Sequence, residues 1–258
     1  MFTDLLFEEG FTKVDAALDV IFVPTDDLVV EAMLKMAAVT KDDILYDLGC
    51  GDGRIVVAAA MEREAQAVGV DMDPRRIAEA NALAETVSVT DRVKFLQEDL
   101  LTVDFSAATV LTLYLLPSLN LKLKARILSE LKPGTRVIGH AFNMGRWQPD
   151  AKRAMGGVYI YKWVVPAPVH GTWEWLSEEG KVYRVELLQA FQMLSGQAWI
   201  DGQEVDLLEA KMLGDRVHLS IKASDAEEAD LFISIYREGQ LLPAADSKQV
   251  SVGVRISV

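Results

Sequence analysis

The clearest chemistry in the sequence lies in a glycine cluster, Tyr46-Asp-Leu-Gly-Cys-Gly-Asp-Gly-Arg54. An apolar run ends at this cluster, and a stretch with helical character follows it. A strand that ends at glycines and continues as a helix leaves backbone N–H groups exposed at the helix N-terminus. Glycines also let a ligand approach the backbone closely. An ordinary strand-to-helix turn needs one glycine rather than three at alternate positions, so the segment predicts a ligand-binding loop.

The spacing of the glycines and the charges beside them distinguish between nucleotide ligands. A dinucleotide loop has the pattern G-x-G-x-x-G, whereas here the glycines are Gly49, Gly51 and Gly53. The Gly-Lys-Ser/Thr of a phosphate-binding P-loop is absent. Carboxylates at Asp47 and Asp52 would repel a pyrophosphate but suit a cation. The loop therefore favours a ligand that carries a sulfonium and an ammonium group.

Two further acidic residues follow later strands of the same region. Asp71 ends the next predicted strand, where an acidic residue accepts hydrogen bonds from both ribose hydroxyls. Asp99 comes just after the third strand and could accept a hydrogen bond from an adenine amino group. Together with Asp47 and Asp52, these side chains outline S-adenosylmethionine, which we predict as the cofactor.

Four segments of the sequence carry a resemblance to a known family: Phe22-Val-Pro-Thr25, Tyr46-Asp-Leu-Gly-Cys-Gly-Asp-Gly-Arg-Ile55, Thr112-Leu-Tyr-Leu-Leu116 and Glu130-Leu-Lys-Pro-Gly-Thr-Arg-Val137. The second, with an acid about 20 residues later, is similar to the class I S-adenosylmethionine-dependent methyltransferases. As an ordered set, the segments resemble the small protein lysine methyltransferases of archaea. They also resemble the mitochondrial relatives that act on part of the ATP synthase. The resemblance covers residues from about 20 to 165.

The resemblance implies a set of cofactor-binding residues: Thr25, Asp47, Gly49, Gly51, Asp52, Asp71, Met72, Asp99 and Leu100. The glycine-loop members of this set would contact the methionine portion of the cofactor. Asp71 would hold the ribose, and Asp99 with Leu100 would hold the adenine. Thr25 would close over the cofactor or the substrate. An alternative role for Thr25, compatible with the first, is to cap a helix that starts near Asp26.

Methyl transfer from a sulfonium needs an in-line nucleophile and little other chemistry from the protein. Positioning of the two reactants can supply about 7–11 kcal/mol of the barrier. A lysine nucleophile must be neutral, and deprotonating it near pH 7 costs about 4–5 kcal/mol. A nearby sulfonium and an apolar channel both lower the pKa of the lysine, so the reaction does not require a dedicated base.

The candidate catalytic residues are Tyr114, at the end of the fourth strand, and His140, which closes the fifth. Each could instead be a buried core residue. Leu116, two residues after Tyr114, and Trp147 are candidate substrate contacts. Trp147 could form a wall of an amine channel or could pack in the interior.

The elements that must position these residues alternate between strand and helix. The predicted strands are 44–48, 67–70, 93–97, 110–115 and 136–142, and the predicted helices include 54–67 and 74–85. This alternation is typical of a parallel sheet covered by helices. We therefore predict an α/β fold at residues 1–165, a Rossmann-like methyltransferase sheet with helices on both faces.

After about residue 165, apolar and polar residues alternate strictly, as in 216–222. Turn signals stand at Asp201-Gly202 and Glu238-Gly239. We predict that residues 166–258 form an antiparallel β domain, either a sandwich or a partial barrel. Most of the aromatic residues Trp173, Trp175, Phe191 and Trp199 should be core, whereas an exposed cluster of them facing the first domain would indicate recognition of a ligand or partner.

The composition narrows the functional classes. The 258 residues include 26 Lys+Arg and 39 Asp+Glu, a net charge of −13, which disfavours binding to a nucleic-acid backbone. The single cysteine, Cys50, excludes a disulfide framework and a multi-thiolate metal site, and we expect no metal. No apolar run approaches the roughly 20 residues of a membrane span. The first residues lack the basic region of a signal peptide. We predict a cytoplasmic protein that binds neither nucleic acid nor a membrane.

Three functions are compatible with these observations. The leading one is methylation of lysine in a protein substrate, to which an acidic surface would attract a basic target. The second is methylation of a small-molecule acceptor, with the β domain as a lid or pocket wall. The third is a non-catalytic sensor of S-adenosylmethionine, in which the β domain reports binding to a partner.

Overall fold

The apolar run that leads into the glycine cluster is the first strand of a mixed sheet. The computed structural model describes residues 22–257, and within this range the sheet has seven strands. In chain order, its strands and helices are α1 (Asp27–Ala37), β1 (Ile44–Leu48), α2 (Arg54–Arg63), β2 (Gln66–Asp71), α3 (Pro74–Thr86), β3 (Val93–Gln97), β4 (Val110–Leu113), α4 (Pro117–Glu130), β5 (Arg136–His140), β6 (Ala151–Met155) and β7 (Val158–Val164). The alternation of strand and helix up to β5 confirms the predicted α/β class.

The order of the strands determines where a ligand can bind. The strands lie in the order β3-β2-β1-β4-β5-β7-β6, and β1 pairs in parallel with both β2 and β4. β2 and β3 therefore lie on one side of β1, and the chain then crosses to the other side, where β4 and β5 lie. Sheets of this kind bind ligands in a crevice at the carboxyl ends of the strands, at the point where the chain changes sides. Asp47, Asp71 and Tyr114 lie at or next to these strand ends.

Capping interactions explain where the helices begin and end. The Asp73 side chain accepts a hydrogen bond from the Arg75 N–H (2.9 Å), and Pro74 occupies the first position of α3, as predicted. α2 ends at Arg63, before the predicted residue 67, because Glu64 adopts a left-handed backbone conformation that terminates the helix.

The cap of α1 corrects one sequence-based alternative. The Asp26 side chain accepts a hydrogen bond from the Leu28 N–H at 2.9 Å, so Asp26 is the N-cap. The alternative that Thr25 caps this helix is wrong, because Thr25 lies one residue outside the capping position. Its hydroxyl is consequently available for another contact.

Two strands are shorter than the sequence indicates. β4 ends at Leu113, before the predicted residue 115, because the chain turns there toward the helix that begins at Pro117. β5 ends at His140 rather than at residue 142. The reason is that Ala141 has a φ of 66°, which is incompatible with extended backbone.

An apolar core joins the first helix to the sheet. Val29, Met33 and Leu34 of α1 are buried in the same cluster as Leu45 of β1 and Val56 of α2. This packing holds α1 against the sheet and thereby fixes the residues that precede the helix.

The second sheet is antiparallel and has eight strands, which confirms the predicted class of the C-terminal region. They are β8 (Gly171–Leu176), β9 (Val182–Ala190), β10 (Met193–Ile200), β11 (Gln203–Leu213), β12 (Arg216–Lys222), β13 (Asp230–Arg237), β14 (Gln240–Pro243) and β15 (Val254–Ser257). β8 to β14 are neighbours in sequence order, and β15 pairs with β8. Leu241 and Gly253 exchange two backbone hydrogen bonds, at 3.0 and 2.7 Å, and so join the two edges of the sheet. The architecture is a nearly closed barrel rather than a sandwich.

Aromatic side chains fill the interior of this barrel. Trp173, Trp175, Tyr183 and Phe232 are almost fully buried in one cluster. The Tyr183 and Phe232 ring centroids lie 4.6 Å apart, and those of Trp175 and Phe232 lie 5.3 Å apart. Trp173 and Trp175 are therefore core, as expected, whereas Phe191 and Trp199 are half-buried. The packed rings stabilise the barrel.

The chain divides into two compact units, but not by a single cut. The first contains the described residues up to Leu123 together with Ile138–Met144 and Ala151–Lys162. The second contains Lys124–Val137, Gly145–Asp150 and everything described from Trp163 onward. The domain boundary at residue 165 therefore stays a prediction.

None of the helices within residues 22–257 is long and apolar enough to cross a membrane. The expectation about a signal peptide concerns the first residues of the chain, which lie outside the described part.

The two predicted hairpin turns are confirmed. Asp201 and Gly202 have φ values of 49° and 84°, and Glu238 and Gly239 have 48° and 83°. Two consecutive positive φ values are the signature of the tight turn that matches the twist of antiparallel strands.

Gly196 gives a test of the barrel's packing. A Cβ at Gly196 would lie 1.8 Å from the Glu186 carbonyl oxygen on the neighbouring strand, so alanine cannot fit without moving backbone. We expect Gly196→Ala to reduce the free energy of unfolding by about 3 kcal/mol or more. Gly202→Ala, at a turn with open space around it, should cost only about 1 kcal/mol, from its positive φ alone. Urea unfolding of both variants measures the difference, and equal losses would contradict the close strand approach at Gly196.

Candidate functional site

The glycine loop between β1 and α2 adopts the backbone that its sequence indicates. Gly49, Gly51 and Gly53 all have positive φ values, of 81°, 53° and 78°. At Gly51 the requirement is also steric, because a Cβ there would lie 2.1 Å from Cε2 of Phe22. Gly53 is the N-cap of α2, so the loop leads directly into a helix N-terminus. The loop therefore presents backbone N–H groups near the switch point of the sheet.

Asp71 maintains the shape of this loop. Its carboxylate accepts one hydrogen bond from the Gly51 N–H and another from the Asp73 N–H, both at 2.9 Å. One side chain thus connects the end of β2 to the glycine loop and to the start of α3. Each carboxylate oxygen can accept a further hydrogen bond, so a ribose contact is compatible with this geometry and stays a prediction. Met72, next along the chain, is exposed.

Asp47 is the buried acid of the site. It is 2% exposed, and its Oδ1 accepts a hydrogen bond from the Thr112 hydroxyl at 2.6 Å. Burial raises the pKa of Asp47 to about 7, and the charges of Asp71 and Asp52 add to the increase. The Thr112 hydrogen bond acts in the opposite direction. A cation bound beside this carboxylate would relieve an unfavourable buried charge.

Asp52 has a different environment from the one that the sequence indicates. Arg54 donates from Nε to Oδ1 (3.0 Å) and from Nη2 to Oδ2 (2.6 Å) of the same carboxylate. Partial burial acts to raise the pKa of Asp52, but the hydrogen bonds and the charge of Arg54 outweigh it and lower the pKa. Asp52 is therefore an ion-paired carboxylate, and its contact with the cofactor stays a prediction.

Three candidate residues from distant parts of the chain meet at the ends of β4 and β5. The Thr25 Oγ1 and the His140 Nδ1 lie 3.3 Å apart, in hydrogen-bond contact, and both residues are buried. The ring centroids of His140 and Tyr114 are 3.9 Å apart. Burial lowers the pKa of His140 to about 4 and raises the pKa of Tyr114. Thr25, Tyr114 and His140 therefore carry no charge near pH 7. We call them the acceptor cluster, after the catalytic role predicted for Tyr114 and His140.

The remaining candidates lie in less distinctive positions. Asp99 is half-buried and its Oδ1 accepts a hydrogen bond from the Leu101 N–H at 2.8 Å, within the turn that follows β3. Leu100 is half-buried beside it. Leu116 is 43% exposed just before α4, a position where it could contact a substrate. The adenine and substrate roles of these residues stay predictions.

Trp147 belongs to the second unit and is fully buried there. Its ring lies 6.0 Å from that of Trp163 and 6.1 Å from that of Phe191, and its carbonyl oxygen accepts a hydrogen bond from the Trp163 indole at 2.9 Å. Of the two roles considered for Trp147, this environment favours packing over a channel wall, because no part of the side chain reaches solvent.

Sequence reasoning assigned no role to three residues that the site uses. Thr112 was detectable as a polar residue within an apolar strand, and it stands opposite Asp47 in the β1–β4 register. Arg54 directly follows the last glycine of the loop. Phe22 belongs to a segment that carried the family resemblance, but its contact with Gly51 links positions that no local pattern connects.

Comparison with known proteins decides the family. The family model described as the ANTKMT methyltransferase domain matches residues 47–151. A protein-lysine N-methyltransferase of Saccharolobus islandicus (strain REY15A) is 47% identical over 129 residues, which are 50% of this chain and 80% of that protein. The chain belongs to the protein-lysine methyltransferase family. It is an S-adenosylmethionine-dependent methyltransferase.

Two other similar proteins differ from the archaeal relative. One has a lower sequence identity to this methyltransferase, and the other is described as acting on RNA. A human lysine N-methyltransferase, named for its ATP synthase substrate, is 33% identical over 129 residues, 50% of this chain and 54% of that protein. The chain thus spans about half the length of the human enzyme. A crystal structure described as an RNA methyltransferase from Salinibacter ruber, in complex with S-adenosyl-L-homocysteine, is 47% identical. The match covers 57% of this chain and 96% of the Salinibacter chain, with a TM-score of 0.56.

The residues of this methyltransferase fit S-adenosylmethionine. The buried Asp47 carboxylate suits a cationic group, and the loop glycines expose backbone at the start of α2. The positive charge of Arg54 is already paired with Asp52, so it does not oppose a cation. When bound, the cofactor supplies an electrophilic methyl group.

The unfavourable charge of Asp47 gives a prediction about stability and pH. Because the pKa of Asp47 is raised in the folded state, the native protein loses stability as the pH rises from about 4 to about 7. Asp47→Asn removes this penalty, and we expect the free variant to be more stable at pH 8 by as much as about 4 kcal/mol. Its advantage should disappear below about pH 4, while its affinity for S-adenosylmethionine should fall at least tenfold.

Asp43→Asn is the matched control, measured by urea unfolding at the same pH values. Asp43 is also a buried carboxylate, but it accepts hydrogen bonds from the Thr40 N–H (2.9 Å) and from the Thr109 hydroxyl (2.7 Å). Its replacement should destabilise the protein at pH 8. An Asp47→Asn variant no more stable than the unmodified protein at pH 8 would refute the raised pKa.

Proposed function

We propose that the chain N-methylates lysine side chains in a protein substrate. The observation that carries the proposal is the uncharged acceptor cluster of Thr25, Tyr114 and His140 at the carboxyl ends of the strands. The archaeal relative, 47% identical, is described as a protein-lysine N-methyltransferase, and several eukaryotic relatives are lysine N-methyltransferases of named protein substrates.

The electrostatics of the acceptor cluster suit a neutral amine. A lysine near pH 7 must lose a proton before it can attack a methyl group, at a cost of about 4–5 kcal/mol in water. A buried site disfavours the charged ammonium form and so lowers the pKa of the lysine. His140, Tyr114 and Thr25 offer the neutral amine hydrogen-bond partners without placing a competing charge beside it.

His140 has the properties of a positioning group rather than a general base. A histidine with a pKa of about 4 binds a proton too weakly at pH 7 to remove one from an ammonium group of pKa about 10.4. In this proposal the lysine loses its proton to water as it enters the site. The Nε2 of His140 and the Tyr114 hydroxyl then orient the nitrogen lone pair for in-line attack.

Other acceptors are separate hypotheses. An RNA acceptor is suggested by the description of the Salinibacter protein, but a net charge of −13 opposes binding to a phosphate backbone. A small-molecule acceptor held by the β domain would need open space there, and large aromatic side chains fill the barrel interior. A sensor without activity would not need buried, uncharged residues that can bind a neutral amine. We also propose that the methyltransferase is cytoplasmic and that its partner is the protein substrate.

Transfer of a tritiated methyl group distinguishes these acceptors. The methyltransferase is incubated with labelled S-adenosylmethionine in three separate reactions. These contain a protein extract, purified RNA or a mixture of small amines. We expect label in protein bands, resistant to ribonuclease and recovered as methyl-lysine after acid hydrolysis. Asp71→Ala is the matched control, because loss of the Gly51 and Asp73 contacts should weaken cofactor binding at least tenfold and remove the signal.

Each other outcome overturns the proposal in a defined way. Label that ribonuclease removes would identify an RNA methyltransferase. Label confined to the small amines would identify a small-molecule enzyme. Cofactor binding without label in any fraction would favour the sensor.

A further inference from the structure

A short segment before α1 lies against the cofactor loop at both of its ends. This N-terminal strap consists of residues 22–25. At one end, the Phe22 ring covers the backbone of Gly51, and the Arg76 guanidinium lies 4.0 Å from the ring centroid. At the other end, Arg54 donates a hydrogen bond from Nη1 to the Thr25 carbonyl oxygen at 2.7 Å. The strap is therefore attached to the loop by one aromatic contact and one charged hydrogen bond.

Arg54 is held rigidly while it makes this contact. Its guanidinium forms a forked pair with Asp52, through Nε (3.0 Å) and Nη2 (2.6 Å), and its remaining terminal nitrogen reaches Thr25. Forked arginine–carboxylate pairs fix orientation as well as distance. Lysine could not reproduce both interactions, because its ammonium is a single point of donation.

Thr25 transmits this position to the acceptor cluster. Its backbone is held by Arg54, and its hydroxyl contacts the His140 Nδ1 at 3.3 Å. The His140 ring in turn lies 3.9 Å from that of Tyr114. A continuous series of contacts therefore runs from the cofactor loop, through Arg54 and Thr25, to the residues proposed to orient the lysine.

We propose that Arg54 is a positioning residue of the methyltransferase, which acts through Thr25 to hold His140 in the acceptor site. It aligns the acceptor side of the reaction with the loop that holds the donor. The inference rests on the proposed function for the identity of the methyl acceptor. The claim that Arg54 and Thr25 hold His140 in place concerns the free protein alone.

The histidine signals of the free protein test the structural part. The sequence contains three histidines, of which only His140 is buried. NMR titration of the imidazole signals should therefore give a curve with a midpoint at low pH, which belongs to His140. In Arg54→Lys and Arg54→Gln, release of the strap should expose His140 to water and move its midpoint upward by at least one pH unit. The signals of His170 and His218, which lie far from Arg54 in the sequence, serve as internal references.

Kinetics tests the positioning role. In the same variants, turnover of the methyl acceptor should fall at least tenfold, while the calorimetric Kd for S-adenosylmethionine changes less than threefold. Thr25→Val, which keeps the carbonyl that Arg54 contacts but lacks the hydroxyl, should reproduce the loss of turnover even if an Arg54 variant does not fold, while the midpoint of His140, which burial sets, stays low. Asp27→Asn is the matched control: its carboxylate lies 3.9 Å from Arg54 but is 96% exposed, and it should change neither readout.

The outcomes separate the two proposals. An unchanged His140 midpoint in the folded Arg54 variants would overturn the positioning role, and so would full turnover in Thr25→Val. A fall in cofactor affinity that parallels the loss of turnover would also overturn it, because Arg54 would then act on the cofactor. A shifted midpoint in a protein that does not methylate lysine would refute only the proposed function.

Discussion

The site depends on one unfavourable charge, the carboxylate of Asp47. It lies at the carboxyl end of β1, almost without solvent, with a hydrogen bond from Thr112 on the neighbouring strand. Burying a carboxylate costs free energy that one hydroxyl donor only partly offsets. The free protein therefore retains a carboxylate whose charge a cation bound beside it would stabilise further. This cost is reasonable in an enzyme whose cofactor carries positive charge.

The neighbouring acidic residues have different roles, because each has different hydrogen-bond partners. Asp71 accepts hydrogen bonds from two backbone N–H groups and so maintains the glycine loop. Asp52 is paired with Arg54, which connects the loop to Thr25. Asp47 accepts a side-chain hydrogen bond from Thr112 and, within residues 22–257, forms no ion pair of this kind. Of these three carboxylates of similar appearance in the sequence, Asp71 thus stabilises the loop, Asp52 anchors Arg54, and Asp47 is the one predicted to receive the cation.

The acceptor side of the site is built on the opposite electrostatic principle. Thr25, Tyr114 and His140 are neutral near pH 7, because burial disfavours the charged form of each ring. A negative donor pocket beside a neutral acceptor cluster suits a reaction between a cationic methyl donor and an uncharged amine. The C-terminal barrel, whose interior is filled by aromatic side chains, contributes none of these residues.

Local sequence patterns predicted the elements and the loop but not the contacts between distant residues. β1 and β3 have the predicted bounds, because apolar runs bounded by polar residues determine them. The left-handed Ala141 that shortens β5 has no such signal. Thr25 and His140 were each identified from the sequence, yet their contact joins residues 115 positions apart. The pairing of Asp52 with Arg54 was missed for a different reason: the motif assigned the carboxylate to the cofactor.

Calorimetry of S-adenosylmethionine binding at pH 7, in buffers of different ionisation enthalpy, tests the central role of Asp47 most directly. With a pKa of about 7, Asp47 is protonated in about half of the free molecules, and binding should release about half a proton per site. Asp47→Asn should lack this release, so the two proteins should differ in the number of protons exchanged on binding. Equal proton exchange in both proteins would contradict the account.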